Sequence, residues 1–224
     1  MPARSINHRV HGGARGLDPI QIHEENSHSI SLFSILLSII VFLLAQWVVA
    51  QAPARVHELK LELDPARSGA GITLTGNFHT VEGSFALKHG AIRYDPATGK
   101  AGGEIVFDAA SGKTGSDGRD SKMHKAVIES ARFPEIAFRP DHAEGRLAAA
   151  GDCMLQVHGM FSIHGAEHEI TVPVQVHFDG DTWTAKASFR VPYASWGMKN
   201  PSVLFLRVAN IVDVQFHAAG NVTP

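Results

Sequence analysis

The sequence predicts an all-β protein whose antiparallel strands form a barrel or a sandwich around one interior. The first observation is a regular alternation of apolar and polar residues from Val56 onward, seen clearly over Trp183–Val191. One apolar face and one polar face are typical of antiparallel strands around a single core. The second observation is that turn sequences separate the alternating runs. A closed barrel has the further advantage that it leaves no exposed sheet edge.

Each strand is predicted from its own run, and each connection from its turn residues. Asp95–Gly99 has proline at the second position of a type I turn, and Asp179-Gly180 predicts a tight hairpin. Gly165 begins another short connection. In the second run Phe78 shares the parity of Ile72 and is therefore expected to face inward. The runs cover residues 59–63, 72–79, 135–138, 154–164, 171–178, 183–191 and 212–218.

One short helix is predicted between the strands. Met123, Val127 and Ala131 recur at a spacing of four, which is a helical period. Asp120 or Ser121 can cap its start, and Pro134 prevents it from continuing. The segment from Thr114 to Phe138 is therefore expected to form a loop, a short helix and then a strand.

The N-terminal region predicts an apolar helix that targets the chain for export. Ile30–Ala50 contains no charged residue and is long enough to span a bilayer. Small residues before Gln51 favour signal-peptidase cleavage after Ala50, although a retained anchor is the alternative. We expect a disordered extension over 1–29, a signal peptide or membrane anchor helix over 30–52, and a barrel domain over 53–224. The protein is expected to be periplasmic or secreted, or attached to the inner membrane through Ile30–Ala50.

Charge and cysteine content exclude some classes of protein. The formal net charge is −2 and the basic residues are spread along the chain, whereas nucleic-acid binding needs a concentrated basic face. Cys153 is the one cysteine, so no disulfide can form within the chain. In its strand-like context Cys153 is interpreted as a small core residue.

Four stretches of the chain resemble the YceI-like family. The most specific is RDSKMHKAVIESARFPEIAF, which fits the pattern RD-x-K-M-H-x5-S-x3-P-x-I-x-F from Arg119 to Phe138. The others are LDPARSGAGITLTGNFHTVEGSF, FSIHGAEHEITVPVQVHF and FRVPYASWGMKNPSVLFLRVANIVDVQFHAAG. The resemblance implies a lipocalin-like antiparallel barrel of about eight strands, preceded here by the hydrophobic N-terminal helix. It also implies export and an interior that holds an isoprenoid lipid or quinone.

Two segments depart from the pattern of the family. Arg67-Ser68 stand where the family often has His-Ser after the first Asp-Pro, and this change is expected to alter the mouth of the barrel. Tyr193–Met198 occupies the place of a more usual Arg-x-x-Phe/Tyr-Gly turn. Neither departure changes the predicted fold.

The inward-facing aromatic residues are the candidates for the wall of a lipid cavity. A barrel of about eight strands can be filled by side chains or hollow, so a filled core is the alternative. The resemblance favours a cavity. We expect Arg119, His124 and Trp196 to lie at its mouth. The predicted wall residues are Phe78, Phe85, Ile105, Phe107, Phe138, Phe161, Phe189 and Phe216.

The polar cluster at Asp117, Arg119, Asp120 and His124 could suggest an enzyme. No nucleophile with an adjacent base, and no Ser-His-Asp or Cys-His signature, accompanies it. We therefore interpret the cluster as a loop and helix that close one end of the barrel, and we expect no catalytic residue.

The histidines raise the alternative of a metal site. His158, His164, His168 and His177 could serve zinc or copper, with His164 and His168 the nearest pair across a turn. His158 and His164 lie about 20 Å apart on a straight strand and cannot share an ion. The favoured interpretation is a row of exposed histidines with no metal bound.

These observations together predict an exported, non-catalytic protein that binds an apolar lipid. The predicted ligand is an isoprenoid or a similar long chain, and no other cofactor is expected. The alternatives are a filled barrel that acts in stress or surface interactions, and a histidine-based metal protein. The sequence makes no prediction of the oligomeric state.

Overall fold

Nine antiparallel strands close into a barrel in the computed structural model, which describes residues 58–148 and 150–223. Residues 1–29 and the apolar helix predicted within 30–52 lie outside the described residues. Among the residues that are described, no helix has the length and apolar composition needed to cross a membrane. The strands are β1 (Leu59–Leu63), β2 (Gly69–Thr75), β3 (Thr80–Tyr94), β4 (Ala101–Asp108), β5 (Glu135–Gly145), β6 (Gly151–Ile163), β7 (Ala166–Asp179), β8 (Thr182–Val191) and β9 (Val212–Thr223).

The barrel has eight strand positions because β1 and β2 share one of them. Both strands pair with β3 on one side and with β9 on the other. From β3 to β9 each strand pairs with the next along the chain. The sheet therefore closes on itself, which confirms the prediction of about eight antiparallel strands and decides for a barrel over a sandwich.

A short corner, Asp64–Ser68, separates β1 from β2. Pro65–Arg67 form one 3-10 turn, and the Asp64 carboxylate accepts hydrogen bonds from the Ala66 N–H (2.9 Å) and the Arg67 guanidinium (2.7 Å). The buried Ser68 hydroxyl accepts from the Ala219 N–H (3.1 Å). The corner thus stays attached to β9 while the strand changes direction.

Alternation along each strand decides which residues form the interior. On β8, Trp183, Ala185 and Ala187 are buried, whereas the intervening Thr184 and Lys186 are exposed. The hairpin to β8 turns at Gly180, whose φ of +58° is readily adopted by glycine. The inward and outward faces predicted for this strand are therefore correct.

The helix α1 (Asp117–Lys122) continues directly into a π-helical turn, Met123–Val127. The Ile128 N–H donates to the Met123 carbonyl (3.0 Å), which is the i→i+5 bond of a π turn. Helical structure ends before Ala131, because Glu129 has a left-handed φ of +48°. The predicted capping role of Asp120 is also wrong, since Ser116 occupies the N-cap position.

The connections divide between the two ends of the barrel. One end, which we name the mouth end, carries the turn 76–79 and the segments 109–134, 164–165 and 192–211. The opposite end, which we name the far end, carries the connections 95–100 and 180–181. Leu59 pairs with Tyr94, so the described chain enters the barrel at the far end.

Candidate functional site

The interior of the barrel contains an apolar cavity of about 450 Å³. This volume lies within the range of about 300–1,000 Å³ that is usual for small-molecule sites. Residues from both ends of the barrel line it, so it runs along the interior. The core of this barrel is therefore not completely filled by side chains. Lining residues beside the predicted ones include Ile72, Val127, Leu155, Ile170, Val174, Ala187 and Val214.

Seven of the eight predicted wall residues line this cavity. Phe107 and Phe216 meet edge to face with ring centroids 6.1 Å apart. Phe161 and Phe189 form a second such pair at 6.0 Å. These contacts hold the rings against the wall and leave the cavity open. The seven residues are Phe85, Ile105, Phe107, Phe138, Phe161, Phe189 and Phe216.

Phe78 is the exception, and its predicted inward position is wrong. Its side chain is 71% exposed and does not line the cavity. The physical reason is that β2 ends at Thr75, so the parity that places Ile72 and Leu74 inside does not extend into the turn 76–79.

The mouth end contributes the charged side chains of the lining. Arg119 and Lys122 line the cavity from α1, together with Thr114. The Arg119 guanidinium donates to the Thr114 carbonyl oxygen (2.9 Å) and hydroxyl (3.2 Å). Lys122 donates to the Pro201 carbonyl (2.6 Å) and so joins α1 to the segment 192–211. The position predicted for Arg119 at the mouth agrees with this arrangement.

Asp120 contributes to the mouth by holding the loop that precedes α1. Its carboxylate accepts hydrogen bonds from the Thr114 hydroxyl (2.6 Å) and N–H (2.8 Å). The Thr114 hydroxyl is the main reason that the pKa of Asp120 lies below its usual value. Asp120 is therefore ionised at neutral pH and fixes the loop on which Arg119 folds back.

His124 belongs to the mouth-end connection 109–134 but does not line the cavity, contrary to the prediction that it lies at the cavity mouth. It is absent from the cavity lining, and both of its ring nitrogens make internal contacts. Nε2 donates to the Gly112 carbonyl (2.8 Å), because a carbonyl can only accept. Nδ1 then accepts from the Ser130 hydroxyl (3.1 Å). His124 therefore holds the connection 109–134 together.

Trp196 is also absent from the lining, but it packs against core residues at the mouth end of the barrel. Its indole stacks on the His168 ring with centroids 3.9 Å apart and an interplanar angle of 5°. It also packs against Phe161, with ring centroids 5.9 Å apart. The prediction that Trp196 lies at the cavity mouth is therefore wrong. Trp196 instead supports Phe161 and His168, because the turn at Tyr193–Met198 folds over the mouth end of β7.

The histidines divide between the outside of the barrel and its mouth end. His158 and His177 face outward and contact the carboxylates of Asp141 (2.7 Å) and Asp152 (2.9 Å). The Nε2 atoms of His164 and His168 are instead buried and form no hydrogen bond, although the Nε2 of His164 lies 3.4 Å from the Glu129 carboxylate. This burial contradicts the expectation that the two rings are exposed. Burial lowers the pKa of His168.

Metal-binding geometry is not found among these histidines. Across the part of the chain that the structure describes, no three His, Cys, Asp or Glu residues are grouped closely enough to hold a metal ion.

Two residues outside the predicted set of wall residues lie towards the far end of the cavity. Tyr94 and Trp183 are both buried and both line the cavity. Trp183 donates from Nε1 to the Asn221 carbonyl (3.2 Å), and burial is the main reason that the pKa of Tyr94 is raised. Their inward parity was visible in the sequence, but their position at one end depends on the register of the closed sheet.

Arg67 and Ser68 do not lie at the mouth, so their departure from the family pattern does not alter it. Neither residue lines the cavity, and both belong to the corner between β1 and β2. The expected effect on the mouth is therefore wrong. The corner is attached to the middle of β9 by Ser68, away from the mouth-end connections.

A closed antiparallel barrel with an apolar internal cavity defines the class of lipocalin-like barrels. The model of the YceI-like domain matches residues 61–219, which include nearly all of the strands. The chain therefore belongs to the YceI-like family. No curated protein matches the chain significantly.

Two solved structures have a similar fold. One is BcnA from Burkholderia cenocepacia, with 21% identity and a TM-score of 0.58, covering 71% of this chain and 99% of that chain. The other is a polyisoprenoid binding domain from Saccharophagus degradans implicated in plant cell wall breakdown. It has 16% identity and a TM-score of 0.57, covering 73% of this chain and 98% of that chain. At these identities the likeness concerns the fold alone.

Proposed function

We propose that this protein binds the long apolar chain of an isoprenoid lipid inside the barrel and does not transform it chemically. The observation that carries the proposal is the cavity of about 450 Å³ with its apolar lining. Such a lining offers few hydrogen bonds, so it selects a ligand by length and hydrophobicity rather than by polar contacts.

The hydrophobic effect supplies the affinity in this proposal. Each buried methylene group contributes about 0.8 kcal/mol, so a chain of many carbons binds without any polar contact. Association and the ordering of a flexible chain oppose binding. A long ligand is therefore favoured over a short one of the same chemistry.

The ligand enters tail first in this proposal. Tyr94 and Trp183 are buried at the far end of the cavity, whereas Arg119 and Lys122 are exposed at its other end. A polar head group therefore remains at the mouth. Because guanidinium and ammonium groups only donate hydrogen bonds, we expect the head group to present oxygen acceptors.

A non-catalytic role is supported by the internal hydrogen bonds that Asp120 and His124 form. Asp120 holds Thr114, and His124 joins Gly112 to Ser130. Neither residue lines the cavity, so neither is placed to act as an acid or base on a ligand inside it. The structural neighbour described as a polyisoprenoid binding domain supports the choice of an isoprenoid over other lipids.

Mass spectrometry of organic extracts tests the proposal directly. The protein is purified without detergent, and the extract is compared with that of a matched protein of similar size. We expect an isoprenoid lipid at up to one molecule per barrel. The absence of such a lipid, together with no retention of an added tritiated polyprenol, would overturn the proposal.

A pair of substitutions on β8 tests whether the lipid occupies the cavity. Ala187 is buried and lines the cavity, and Ala187→Phe would fill part of it. The adjacent Ser188 is exposed on the outer face, so Ser188→Phe is the matched control. We expect Ala187→Phe to reduce polyprenol retention at least tenfold while Ser188→Phe retains it. Equal retention by both variants contradicts binding inside the barrel.

We also propose that the barrel domain is exported through the apolar segment Ile30–Ala50. This segment is uncharged and ends in small residues, Val48-Val49-Ala50, that suit signal peptidase. N-terminal sequencing of the mature protein is the test, and we expect the sequence to begin at Gln51. An unprocessed N-terminus in a membrane fraction supports a retained anchor instead.

A further inference from the structure

Five exposed apolar side chains protrude together at the mouth end. We name them the apolar tip: Phe78 from the turn 76–79, and Val203, Leu204, Phe205 and Leu206 from the segment 192–211. Leu204 is 89% exposed and Phe205 is 82% exposed. Large exposed apolar groups that lie side by side usually mark an interaction surface.

The backbone of the apolar tip holds these side chains away from the barrel. The Val203 N–H donates to the Leu206 carbonyl (2.9 Å) and the Leu206 N–H donates back to the Val203 carbonyl (2.7 Å). Leu204 and Phe205 are thus the two loop residues of a tight hairpin, and Leu204 has a left-handed φ of +42°. The turn points the side chains of these two loop residues into solvent.

Asn77 fastens the two parts of the apolar tip to each other. Its side-chain amide donates to the Phe205 carbonyl (2.8 Å) and accepts from the Arg207 N–H (3.1 Å). Its backbone N–H donates to the Arg207 carbonyl (3.0 Å). Phe78, the next residue, is therefore held beside the hairpin.

The apolar tip is continuous with the entrance of the cavity. Val203 and Leu206 are about half exposed, and both also line the cavity. Lys122 connects α1 to this segment through the Pro201 carbonyl. A surface that covers the apolar tip therefore also covers the entrance.

The charges around the apolar tip are mostly basic. The mouth-end connections 76–79, 109–134, 164–165 and 192–211 contain seven basic and three acidic side chains, although the whole chain has a net charge of −2. A surface that combines protruding aliphatic and aromatic side chains with basic residues matches an anionic lipid bilayer. The basic residues are Lys113, Arg119, Lys122, Lys125, Arg132, Lys199 and Arg207, and the acidic ones are Asp117, Asp120 and Glu129.

We propose that the mouth end docks onto the surface of an anionic phospholipid bilayer by inserting the apolar tip. The basic residues then face the lipid head groups, and the entrance of the cavity opens towards the acyl chains. The docking goes beyond ligand binding and does not require the cavity to be occupied. It provides a dry path for an apolar molecule between a bilayer and the barrel.

Vesicle flotation tests the docking. The fragment 55–224 is suitable because it forms one compact unit, its barrel closes within the described strands, and similar solved chains consist of little more than this barrel. The fragment also removes Ile30–Ala50, which could bind vesicles by itself. The vesicles contain phosphatidylcholine and phosphatidylglycerol in a three-to-one ratio, and phosphatidylcholine alone serves for comparison.

The double variant Leu204→Ser/Phe205→Ser removes the protruding side chains. Met154→Ser is the matched control, because Met154 is 56% exposed on β6 but lies towards the far end. We expect the unmodified fragment and Met154→Ser to float with the anionic vesicles. We expect the double variant to bind the anionic vesicles at least tenfold more weakly than the unmodified fragment does. We also expect the unmodified fragment to bind more weakly to neutral vesicles, and to anionic vesicles in high salt.

Three results would overturn the docking proposal. The first is that the unmodified fragment does not float with the vesicles. The second is that the double variant floats as well as the unmodified fragment. The third is that sedimentation shows a dimer that depends on Leu204 and Phe205 while the vesicles are not bound. Ala187→Phe separates the two proposals, since we expect it to lose polyprenol but still float with vesicles. The double variant should conversely retain polyprenol that is already bound.

Discussion

His158 is held between two carboxylates on the outer face of the barrel. Its Nδ1 lies 2.7 Å from the Asp141 carboxylate and its Nε2 lies 2.9 Å from the Glu169 carboxylate. The hydrogen bond to Asp141 is the largest cause of a raised pKa for His158, and the bond to Glu169 adds to it. The doubly protonated ring can donate to both carboxylates at once, whereas the neutral ring can donate to only one.

This arrangement predicts that His158 stabilises the fold in acid rather than in base. Because its pKa is raised on folding, the stabilisation is fully present below the unfolded value of 6.5 and is lost as the pH rises through the folded pKa. We expect His158→Gln to lower the urea unfolding midpoint at pH 6 and to have little effect at pH 9, urea being chosen because it does not screen charges. Unfolding curves at the two pH values measure this.

The outward-facing His217 provides the control, since its side chain is exposed and forms no ion pair with a described residue. We expect His217→Gln to change the midpoint equally little at both pH values. A His158→Gln effect that is as large at pH 9 as at pH 6 would mean that packing, and not charge, explains the contribution of the ring.

Side-chain direction could be predicted from sequence wherever a strand is unbroken. Phe107, Phe161 and Phe216 line the cavity as expected because alternation within a strand is set by the backbone. Phe78 and His124 could not be placed in this way. Phe78 follows the end of a strand, and the contacts of His124 depend on Gly112, twelve residues earlier in the chain.

Among the elements, the pair of β1 and β9 depends on a residue without a side chain. Gly220 pairs with Leu63 and faces the Glu62 carbonyl so closely that a β-carbon would collide with that oxygen. The indole Nε1 of Trp183 would lie 3.2 Å from the same β-carbon. Neither the strand nor the indole can withdraw freely, because both are held by the closed sheet.

We therefore expect Gly220→Ala to destabilise the barrel by about 1–3 kcal/mol, the usual result of overpacking. Gly118→Ala is the matched control, because a β-carbon on Gly118 meets no atom within 4 Å in α1. Alanine in an exposed helix is favoured over glycine by about 0.5–1 kcal/mol. Denaturant unfolding measures both changes, and equal stability of the two variants would contradict the collision at β1 and β9.

Strands were predictable as elements, but two other features were not. The alternating runs and turn residues indicated the strands and the barrel, because period and turn chemistry are local properties. The π turn at Met123–Val127 and the hairpin at Val203–Leu206 were missed. Both consist of apolar residues whose conformation depends on contacts with distant parts of the chain, such as Asn77 with Phe205.

At the scale of the whole molecule, the hollow interior is the property that sequence patterns could least predict. Alternation shows which side chains face inward, but not whether they meet at the barrel axis. Here the inward positions include small residues, such as Ala70, Ala185 and Ala187, opposite larger ones. The volume of the cavity depends on how all the strand pairs are aligned, which local sequence patterns do not specify. Only the resemblance to the YceI-like family favoured a cavity over a filled core.

A hollow barrel that binds a lipid should be stabilised by it. A ligand that binds only the folded state stabilises that state by about 2.7 kcal/mol at one hundred times its dissociation constant. For a protein of this size 1 kcal/mol corresponds to roughly 2–4 °C in Tm. We therefore expect extraction of the lipid to lower Tm by several degrees, and added polyprenol to restore it.

The same melting experiment on Ala187→Phe shows where the stabilising lipid is bound. The added ring occupies space that the lipid needs, and it also fills part of a void whose lining lacks contacts. The lipid-free variant should therefore melt at or above the Tm of the lipid-free unmodified protein and should gain little from polyprenol. If polyprenol raises its Tm as much as that of the unmodified protein, the lipid binds outside the barrel, because mass action requires equal occupancy for equal stabilisation.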